Sequence, residues 1–562
     1  MPTPFLFGAA GAIALFFLWT RLRTMSSHRD RLQHFRRHWG RAVDRRRDFD
    51  DISLLFRLSA EGDGSPSLDE RSWEDLDLDS VFAAIDRTGS PAGQQVLYSR
   101  MRHAGLGEKE LSEFDTLVDR LQRDRGIREK LQLAIDRLSH ADAHYLPWLF
   151  LDELPPRPRF RWIFPLLTTS AVAATVLTVA DPRFILLVLA VIVANIAVHL
   201  LYRSRITRFI HPLRLLNALV DTAGRVGKID PERGRTGRLA RLSSELKPLQ
   251  RATSWLRFES EASSDELSKI VYSYFNMFLI IDVNVFVFAL EGVRRNQAKI
   301  REAFERIGEI DAAISVASWR GSLPSYSVPR FTATPGLSAT RVYHPLLAEP
   351  VPNDIRIDGE SVLITGSNMS GKSTFLRTIG VNAVLARSIA TVAATSWAAP
   401  SLRLLTSIGR GDSLLEGKSY YLGEIERIGE MLVASDSREP HLFLIDELFR
   451  GTNTIERVAA AEAVLRYLSG RGHLLFVATH DLELCDRLDR DFVFRHFRES
   501  VDQGELSFDY TMREGISSTR NAIALLELMK YPQTVVDDAL AAVSKSPQVA
   551  ARAEQEPEEI SS

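Results

Sequence analysis

The pattern of apolar and polar positions divides the chain into long apolar stretches, charged helical segments and, late in the chain, short apolar strands. Two apolar stretches, Trp162 to Ala180 and Phe184 to Tyr202, are about 19 residues each, or about 28 Å as helices, which matches a hydrocarbon core. Their only ionisable group is His199, and a three-residue turn joins them. Basic residues flank both outer ends, so we predict a transmembrane hairpin over 162–202 with both ends in the cytoplasm. The alternative is a buried hairpin of a water-soluble protein.

An earlier apolar stretch, from Pro4 to Trp19, has no charge before it and several arginines after it. A cleaved secretory signal has the opposite order of charge, so we predict an uncleaved transmembrane anchor at 1–20 with its N-terminus outside. One further apolar run, Ile270 to Val293, is interrupted by Asn276, Asp282 and Asn284. An aspartate is costly in the centre of a membrane span, so we interpret this run as a helix buried in protein.

The segments 21–161 and 203–329 are charged and carry apolar residues at helical spacing, which predicts an all-α region on either side of the hairpin. A run of arginines between Arg36 and Arg47 is interpreted as a cytoplasmic retention signal on a solvated helix; binding of lipid or DNA phosphate is the alternative. The polar residues 546–562 are predicted to be a disordered tail.

Near residue 330 the pattern changes to short apolar strands, and the candidate functional residues lie in this part of the chain. The strand Ser361 to Thr365 is followed by Gly366-Ser367-Asn368-Met369-Ser370-Gly371-Lys372-Ser373-Thr374, which fits the pattern G-x-x-x-x-G-K-[ST], and then by an apolar helix. Glycines let the backbone approach a phosphate, and amides at the helix N-terminus point at the anion. We therefore predict a phosphate-binding loop for ATP, with Lys372 reaching the β- and γ-phosphates and Ser373 binding Mg²⁺.

Two later strands end in residues that complete such a site. Leu442 to Ile445 is followed by Asp446 and Glu447. Asp446 is predicted to hold Mg²⁺, and Glu447 to act as the general base for the attacking water. A third strand ends at His480, which we expect to hydrogen-bond the γ-phosphate or the water. For this histidine, a purely structural role is the alternative.

Composition narrows the picture further. The net charge is −2, so no global positive field indicates nucleic acid, and any such partner needs a local patch. The chain has one cysteine, Cys485, which excludes an intramolecular disulfide and fits a reducing compartment. One cysteine and scattered histidines are too few clustered ligands for a structural zinc site.

These motifs, in this order, resemble the ATPase domain of the MutS family of mismatch-repair proteins. The resemblance covers about 330–545 and includes Asn368-Met369 within the loop, the segment Asp446 to Thr454, and a signature segment from Gly417 to Glu424. Weaker similarity upstream, at Ile85 to Thr88 and Ile307 to Asp311, concerns the family's helical core and lever. The fold class expected is an α/β P-loop NTPase of the ABC/MutS type, preceded by an all-α lever and core region with transmembrane helices.

The resemblance also implies a homodimer that shares its nucleotide sites. The loop residues, Asp446, Glu447 and His480 would act within one subunit, while Ser419 would approach the γ-phosphate of the other. Val351 falls where the family often has an aromatic residue for the adenine ring. DNA is the implied partner, but we find no mismatch-reading domain, so mismatch specificity is not expected. The alternative is an ATP-driven switch acting on a membrane protein or lipid.

The predicted organisation has six parts: an anchor at 1–20, helical regions at 21–161 and 203–329 around the hairpin at 162–202, the ATPase domain at 330–545, and the tail at 546–562. The multi-pass topology places the ATPase domain on the cytoplasmic side of a bacterial-type inner membrane.

Overall fold

The computed structural model describes most of the chain between residues 29 and 544. The described ranges are 29–63, 67–103, 106–156, 160–229, 234–253, 274, 276–367, 369–409, 420–449, 452–488, 490, 492–502, 505–517, 526 and 529–544. The predicted anchor at 1–20 and the tail at 546–562 therefore lie outside the described residues. Two compact units are present. The helical unit comprises the chain to Ser67, Phe82–Pro324 and Ser388–Ala390, and the sheet unit comprises Leu68–Val81, Ser325–Arg387 and the chain from Thr391 on.

Helices dominate the first half of the chain, as the apolar spacing predicts. Residues 29–38 are helical. The α-helices that follow are α1 (Phe49–Ile52), α2 (Leu54–Asp63), α3 (Glu70–Asp75), α4 (Leu78–Ile85), α5 (Pro91–Arg102), α6 (Glu108–Arg123), α7 (Arg125–Ile135), α8 (Ile163–Ala180), α9 (Ile185–Ile229), α10 (Gly234–Thr253) and α11 (Ile281–Arg320). Short 3₁₀ turns cover Asp136–Leu138, Ala141–Leu149 and Pro182–Phe184.

Two buried aspartates organise the core of the helical unit. Asp86 is fully buried and accepts hydrogen bonds from Arg45, at 2.6 Å, and from Arg47, at 3.0 Å. Burial by itself would raise the pKa of Asp86, but the charge and hydrogen bond of Arg45 outweigh it and the pKa is lowered. These two arginines are therefore structural ion-pair partners rather than part of a solvated retention signal, which corrects the sequence interpretation for that end of the arginine run.

The second buried aspartate, Asp311, joins the two upstream segments that showed the weaker resemblance. Its carboxylate accepts hydrogen bonds from the amides of Gly89, at 3.0 Å, and Ser90, at 2.8 Å, and from the Ser90 hydroxyl at 2.6 Å. A Cβ on Gly93 would lie 2.3 Å from Asp311, so this position has no room for a side chain. Burial raises the pKa of Asp311 to about 6. The start of α5 and the middle of α11 are thus fastened together.

Two glycines lie near the end of the long helix α9, which runs through Gly224 and Gly227 to Ile229, before α10 begins at Gly234. These glycines serve close packing: a Cβ on Gly227 would lie 2.5 Å from the Ala240 amide, and one on Gly224 would lie 2.7 Å from the Ser243 hydroxyl. They let α9 and α10 approach closely.

Two helical segments are long and apolar enough to cross a membrane. They are Ile163–Ala180 and Pro182–Leu201, and only 17% of each window is buried inside the protein. This finding rests on the length and composition of the helices alone. A core helix of a soluble protein can be as long and as apolar, but it is mostly buried. Large apolar side chains on both helices are exposed, including Val179 at 89% and Leu186 at 72%.

The sheet unit contains the strands β1 (Arg330–Phe331), β2 (Leu337–Val342), β3 (Asn353–Ile357), β4 (Ser361–Thr365), β5 (Ser396–Ala399), β6 (Arg403–Ile408), β7 (His441–Asp446), β8 (Leu474–Ala478), β9 (Phe492–His496), β10 (Glu499–Asp502), β11 (Glu505–Phe508) and β12 (Arg513–Glu514). Its helices are α12 (Lys372–Ile389), α13 (Tyr420–Ala434), α14 (Thr454–Ser469), α15 (Glu483–Arg487) and α16 (Gln533–Ser544).

A six-stranded sheet with the order β12-β9-β4-β8-β7-β6 forms the centre of this unit. All neighbours pair in parallel except β12 with β9. The central strands β4, β7 and β8 are buried along their whole length, which explains their continuous apolar sequence. A four-stranded sheet, β1-β5-β2-β3, and the hairpin β10-β11 complete the strands in the described residues.

A segment from the early part of the chain belongs to the sheet unit. The buried carboxylate of Asp75, in α3, accepts hydrogen bonds from the Thr406 hydroxyl, at 2.6 Å, and from the Ile408 amide, at 2.9 Å. Arg427 of α13 donates to Ser72 at 2.7 Å and to the Thr406 carbonyl at 2.6 Å. Leu68–Val81 is therefore fixed against β6 and α13, a contact that hydropathy does not indicate.

Candidate functional site: the carboxyl edge of the parallel sheet

The register of three parallel strands brings the predicted site residues to one edge. Ile364 of β4 pairs with Ala478 of β8, and Ala478 pairs with Asp446 of β7. Neighbouring strands lie about 4.8 Å apart, so Asp446 is about 10 Å across the sheet from Ile364. The candidate loop leaves β4 at Thr365, directly after this level. Open α/β sheets bind ligands at such carboxyl ends.

The loop between β4 and α12 has the backbone that a phosphate cradle requires. Gly366 and Gly371 have φ values of +135° and +110°, which disfavour side chains. A Cβ on Gly366 would lie 2.5 Å from the Phe497 carbonyl. The Ser370 amide and hydroxyl both donate to the Ser367 carbonyl, at 3.2 Å and 2.8 Å, and close the turn. The residues therefore fit a bound phosphate chain.

Lys372, the first residue of α12, is buried and points back into this loop. Its amine donates to the carbonyls of Gly366, at 2.5 Å, and Ser367, at 2.7 Å. Ser373 follows in the first turn of α12, as the predicted Mg²⁺ ligand requires, and Thr374 is exposed beside it. Met369 is 71% exposed at the tip of the loop. Asn368 lies outside the described residues.

The two carboxylates at the end of β7 occupy different environments. Asp446 is buried at the last position of the strand. Glu447 has a φ of +60°, and its amide donates to the Ala478 carbonyl at 2.8 Å, which ties the turn to β8. A left-handed conformation in a residue other than glycine costs about 1–3 kcal/mol and is found where surrounding structure imposes it, often at functional sites. The turn thus gives the two acids separate directions.

His480 lies against Glu447 rather than standing alone. Its Nδ1 is 3.0 Å from a Glu447 carboxylate oxygen, and this hydrogen bond raises the pKa of His480 above 6.5. The neighbouring Asp481 is held by two hydrogen bonds from Arg457, at 2.9 Å and 2.8 Å. The sequence prediction paired His480 with phosphate or water, and the structure shows its contact with the candidate base.

Glu424 was missed as an individual residue although it ends the predicted signature segment. Buried in α13, its carboxylate accepts a hydrogen bond from the Phe449 amide. Phe449 also has a positive φ, of +58°. One side chain of α13 therefore holds the loop that follows Asp446 and Glu447. Ser419, immediately before α13, lies outside the described residues.

An aromatic residue beside the loop was also missed. Tyr510 is 46% exposed, and its ring edge lies 3.3 Å from the position that a Cβ on Gly371 would take. Asn353 holds this segment, because it donates to the Tyr510 carbonyl at 3.1 Å and accepts from the Met512 amide at 2.6 Å. Val351, predicted to lie near the adenine ring, is 39% exposed, and its carbonyl also accepts from Asn353, at 3.3 Å. No sequence signal links residues 353 and 510.

A glycine loop and a buried lysine after β4, with acids at the end of β7 two strands away in the same parallel sheet, define a P-loop nucleotide-binding domain. Among the residues that the structure describes, no group of three or more His, Cys, Asp or Glu side chains could hold a metal ion on its own. A Mg²⁺ ion would therefore depend on Ser373, Asp446 and the phosphates together.

Comparison with known proteins specifies this class. Residues 362–546 match the family described as MutS domain V. The chain is 33% identical to a DNA mismatch repair protein MutS of Thermus thermophilus over 282 residues, which are 49% of this chain and 34% of that protein. It is 27% identical to a MutS of Staphylococcus aureus over 277 residues, 47% of this chain and 31% of that protein. For the DNA mismatch repair protein MSH3 of Phaeosphaeria nodorum the identity is 31% over 265 residues, 44% of this chain and 23% of that protein.

Residues 362–546 thus match MutS domain V, and this part of the chain is similar to MutS-family proteins. The resemblance read from the motifs is confirmed for this part of the chain. The chain spans about a third or less of the length of these curated relatives.

The contact between His480 and Glu447 predicts a pH dependence of stability. The folded-state pKa of His480 is raised, so its stabilising contribution is fully present below pH 6.5 and is lost as the pH rises through the folded-state pKa. We expect His480→Gln to lower the melting temperature of the nucleotide-free protein at pH 6 but hardly at pH 9. In the Glu447→Gln background the same substitution should have little effect at either pH. A loss of melting temperature in His480→Gln that grows with pH would contradict the assigned contact between His480 and Glu447.

Proposed function

We propose that the protein is a membrane-anchored ATPase that uses ATP and Mg²⁺ to switch the conformation of its helical region. The observation that carries this proposal is the parallel pairing of β4, β8 and β7, which ends the strand before the Lys372 loop and the strand before Glu447 at one edge of the sheet. The match to MutS domain V supports it at the level of the family.

The residues of the loop would bind the phosphates. The amides at the start of α12 present positive partial charge, and the Lys372 amine is already directed into the loop. On nucleotide binding it would exchange its two carbonyl partners for phosphate oxygens. Mg²⁺, held by Ser373 and Asp446, would supply charge neutralisation at the phosphates. Tyr510, exposed beside Gly371, would offer its ring to the base.

Hydrolysis needs a base for the attacking water, and we propose Glu447, at the end of β7, for this role. The water oxygen would attack the γ-phosphorus, the bond to the bridging oxygen would break, and a water proton would pass to the Glu447 carboxylate. His480 would orient this carboxylate through its 3.0 Å contact. A nucleotide-binding tether without hydrolysis is less consistent with this arrangement.

We expect Glu447→Gln to retain ATP binding and to lose turnover by about 10²-fold or more, because general-base catalysis contributes about 10²–10⁴-fold. Phosphate release and binding of a fluorescent ATP analogue measure the two properties. Glu456→Gln, an exposed acid in the first turn of α14, is the matched control and should keep both. Equal turnover in the Glu447→Gln and wild-type proteins would refute the base assignment.

We propose further that two copies share each nucleotide site, as the resemblance implies. Ser419 directly precedes α13, and a serine at a helix N-terminus is a good phosphate donor. In the dimer, Ser419 of the partner subunit would approach the γ-phosphate. ATP would then close the dimer, and hydrolysis would loosen it and pass the change to the helical region.

Mixing variants tests the shared site. Ser419→Ala and Lys372→Ala should each have low activity alone, but a mixture should recover activity, because a mixed dimer rebuilds one intact site. The control is a mixture of either single variant with the double variant Ser419→Ala, Lys372→Ala. This mixture cannot rebuild an intact site. Absence of recovery in the first mixture, with mixed dimers verified by pull-down, would argue against sharing.

The proposed location is a bacterial-type inner membrane, with the hairpin 162–202 as the anchor and the ATPase domain in the cytoplasm. The support is the length, apolar character and exposure of α8 and the first part of α9. In a water-soluble protein those exposed faces would form an extended apolar surface, which soluble monomers rarely show.

For the partner, the names of the relatives favour DNA, which we propose to be held by the helical region. The second candidate, a membrane protein or lipid, is favoured by the hairpin. Titration of the detergent-purified protein with matched, mismatched and branched DNA, with and without ATP, separates the two. DNA binding should weaken steeply and log-linearly with salt, because bound phosphates release counterions. Binding of none of these DNAs at low salt would exclude the first candidate.

A further inference from the structure

The helix that carries the lever region is broken where it meets the hairpin. Residues 276–279 are helical, Ile280 has a φ of +44°, and α11 begins at Ile281. A β-branched residue rarely adopts this left-handed conformation. The apolar run that we interpret from the sequence as a helix is therefore broken at Ile280.

The carbonyls at this break are satisfied by side chains. Asn195 of α9 donates to the Phe278 carbonyl at 2.5 Å. Thr168 of α8 donates to the Leu279 carbonyl at 2.7 Å. Asn284 donates to the Ile280 carbonyl at 3.0 Å and to the Thr168 hydroxyl at 2.8 Å. Both helices of the hairpin thus supply a hydrogen bond to the broken segment.

Pairing of backbone carbonyls at a helix break is what a lipid environment demands. Water can satisfy an open helix turn, whereas hydrocarbon cannot, so helix breaks at membrane depth need polar side chains from neighbouring helices. Asn195 is fully buried although it lies in an otherwise apolar stretch.

The two hairpin residues place the break at the same depth. Thr168 is five residues from the inner end of the first candidate span, Ile163, and Asn195 is six residues from the inner end of the second, Leu201. At 1.5 Å per residue these separations are about 8 Å and about 9 Å. The agreement puts the break within the inner leaflet.

The exposed face of α11 changes from apolar to charged at a similar distance from the break. Ile281, Val285 and Phe288 follow one another at helical spacing on a face that is not fully packed, and Phe288 is 64% exposed. One turn or two later the same face carries Glu291 and Arg295, which form an ion pair at 3.0 Å. Eight residues of α11, or about 12 Å, separate the break at Ile280 from Phe288, so a break about 8–9 Å deep puts Val285 within the hydrocarbon and Phe288 at its interfacial edge. Trp162, 61% exposed, stands at the same boundary on α8, where aromatic residues are favoured.

We infer that residues 276–288 form a third intramembrane element, a broken helix that enters the inner leaflet without crossing it. This inference rests on the proposed membrane location of the hairpin. The acyl chains of the cytoplasmic leaflet would cover Val285 and end at Phe288. The whole of α11 has 40 residues, or about 60 Å, and the part after Phe288 runs through the helical unit and leads in sequence to the sheet unit. The lever helix is thus anchored in lipid at one end.

Single-cysteine labelling tests the inference, because the chain has one native cysteine, buried Cys485. In a Cys485→Ser background, Phe288→Cys, Leu189→Cys and Arg295→Cys are compared in inverted membrane vesicles with a charged, membrane-impermeant maleimide. Retained binding of the fluorescent ATP analogue verifies that each variant is folded. We expect Phe288→Cys to react at least about tenfold more slowly than Arg295→Cys, since charged reagents are excluded from hydrocarbon. Leu189→Cys, in the hairpin, should be protected as well.

The three positions separate the possible failures. Rapid labelling at 288 with protection at 189 would overturn the intramembrane element and leave the membrane hairpin intact. Rapid labelling at both positions would overturn the membrane location itself, and the inference with it. Because Phe288 is 64% exposed in the structure, protection there does not come from burial within its own subunit.

Discussion

Pairing between parallel strands β4, β8 and β7 is the constraint on which the candidate site depends. The ladder sets Ile364, Ala478 and Asp446 at one level, so the loop after β4 and the acids after β7 face the same space. These strands are apolar along their whole length and buried on both faces, which fixes their order and their depth in the unit. A shift of one residue in either pairing would turn the last side chain of a strand to the opposite face of the sheet. The positions of the candidate catalytic residues therefore depend on the packing of these buried strands.

Around that ladder, short contacts define the turns. The Glu447 amide is held by Ala478, the Phe449 amide by Glu424, and the Thr479 amide by Ile364. Two of these residues, Glu447 and Phe449, have positive φ values that the surrounding hydrogen bonds impose. Since Glu424 belongs to α13, which begins directly after Ser419, a movement of that helix would be transmitted to the turn that carries the candidate base. In the proposed dimer, this linkage would couple the partner subunit to the turn that carries the candidate base.

The sequence predicts features that arise from local pattern and misses those that arise from distant pairing. The strand, glycine loop and helix around Lys372 are contiguous, and the structure contains them as predicted. The positions of Asp75 and Tyr510 could not be predicted. Asp75 contacts β6 across more than 300 positions of sequence. Tyr510 is held beside the loop by a hydrogen bond from Asn353, which is also distant in sequence. Arg45 and Arg47 read as a solvated cluster only until their buried partner, Asp86, is known. The close packing of Gly224 and Gly227 against α10 is likewise not visible from composition, because it depends on a neighbouring helix.

The central claim is that Lys372, Asp446 and Glu447 surround a metal-bound triphosphate, and nucleotide-dependent binding of Mn²⁺ in place of Mg²⁺ tests it most directly. Electron paramagnetic resonance of the purified protein should show Mn²⁺ bound tightly in the presence of a non-hydrolysable ATP analogue and only weakly without it. The tightly bound signal should be lost in Asp446→Ala, because the metal loses a carboxylate ligand, and it should persist in Asp436→Ala, an acid on the surface of the same unit. An unchanged signal in Asp446→Ala, or tight binding that needs no nucleotide, would contradict the account.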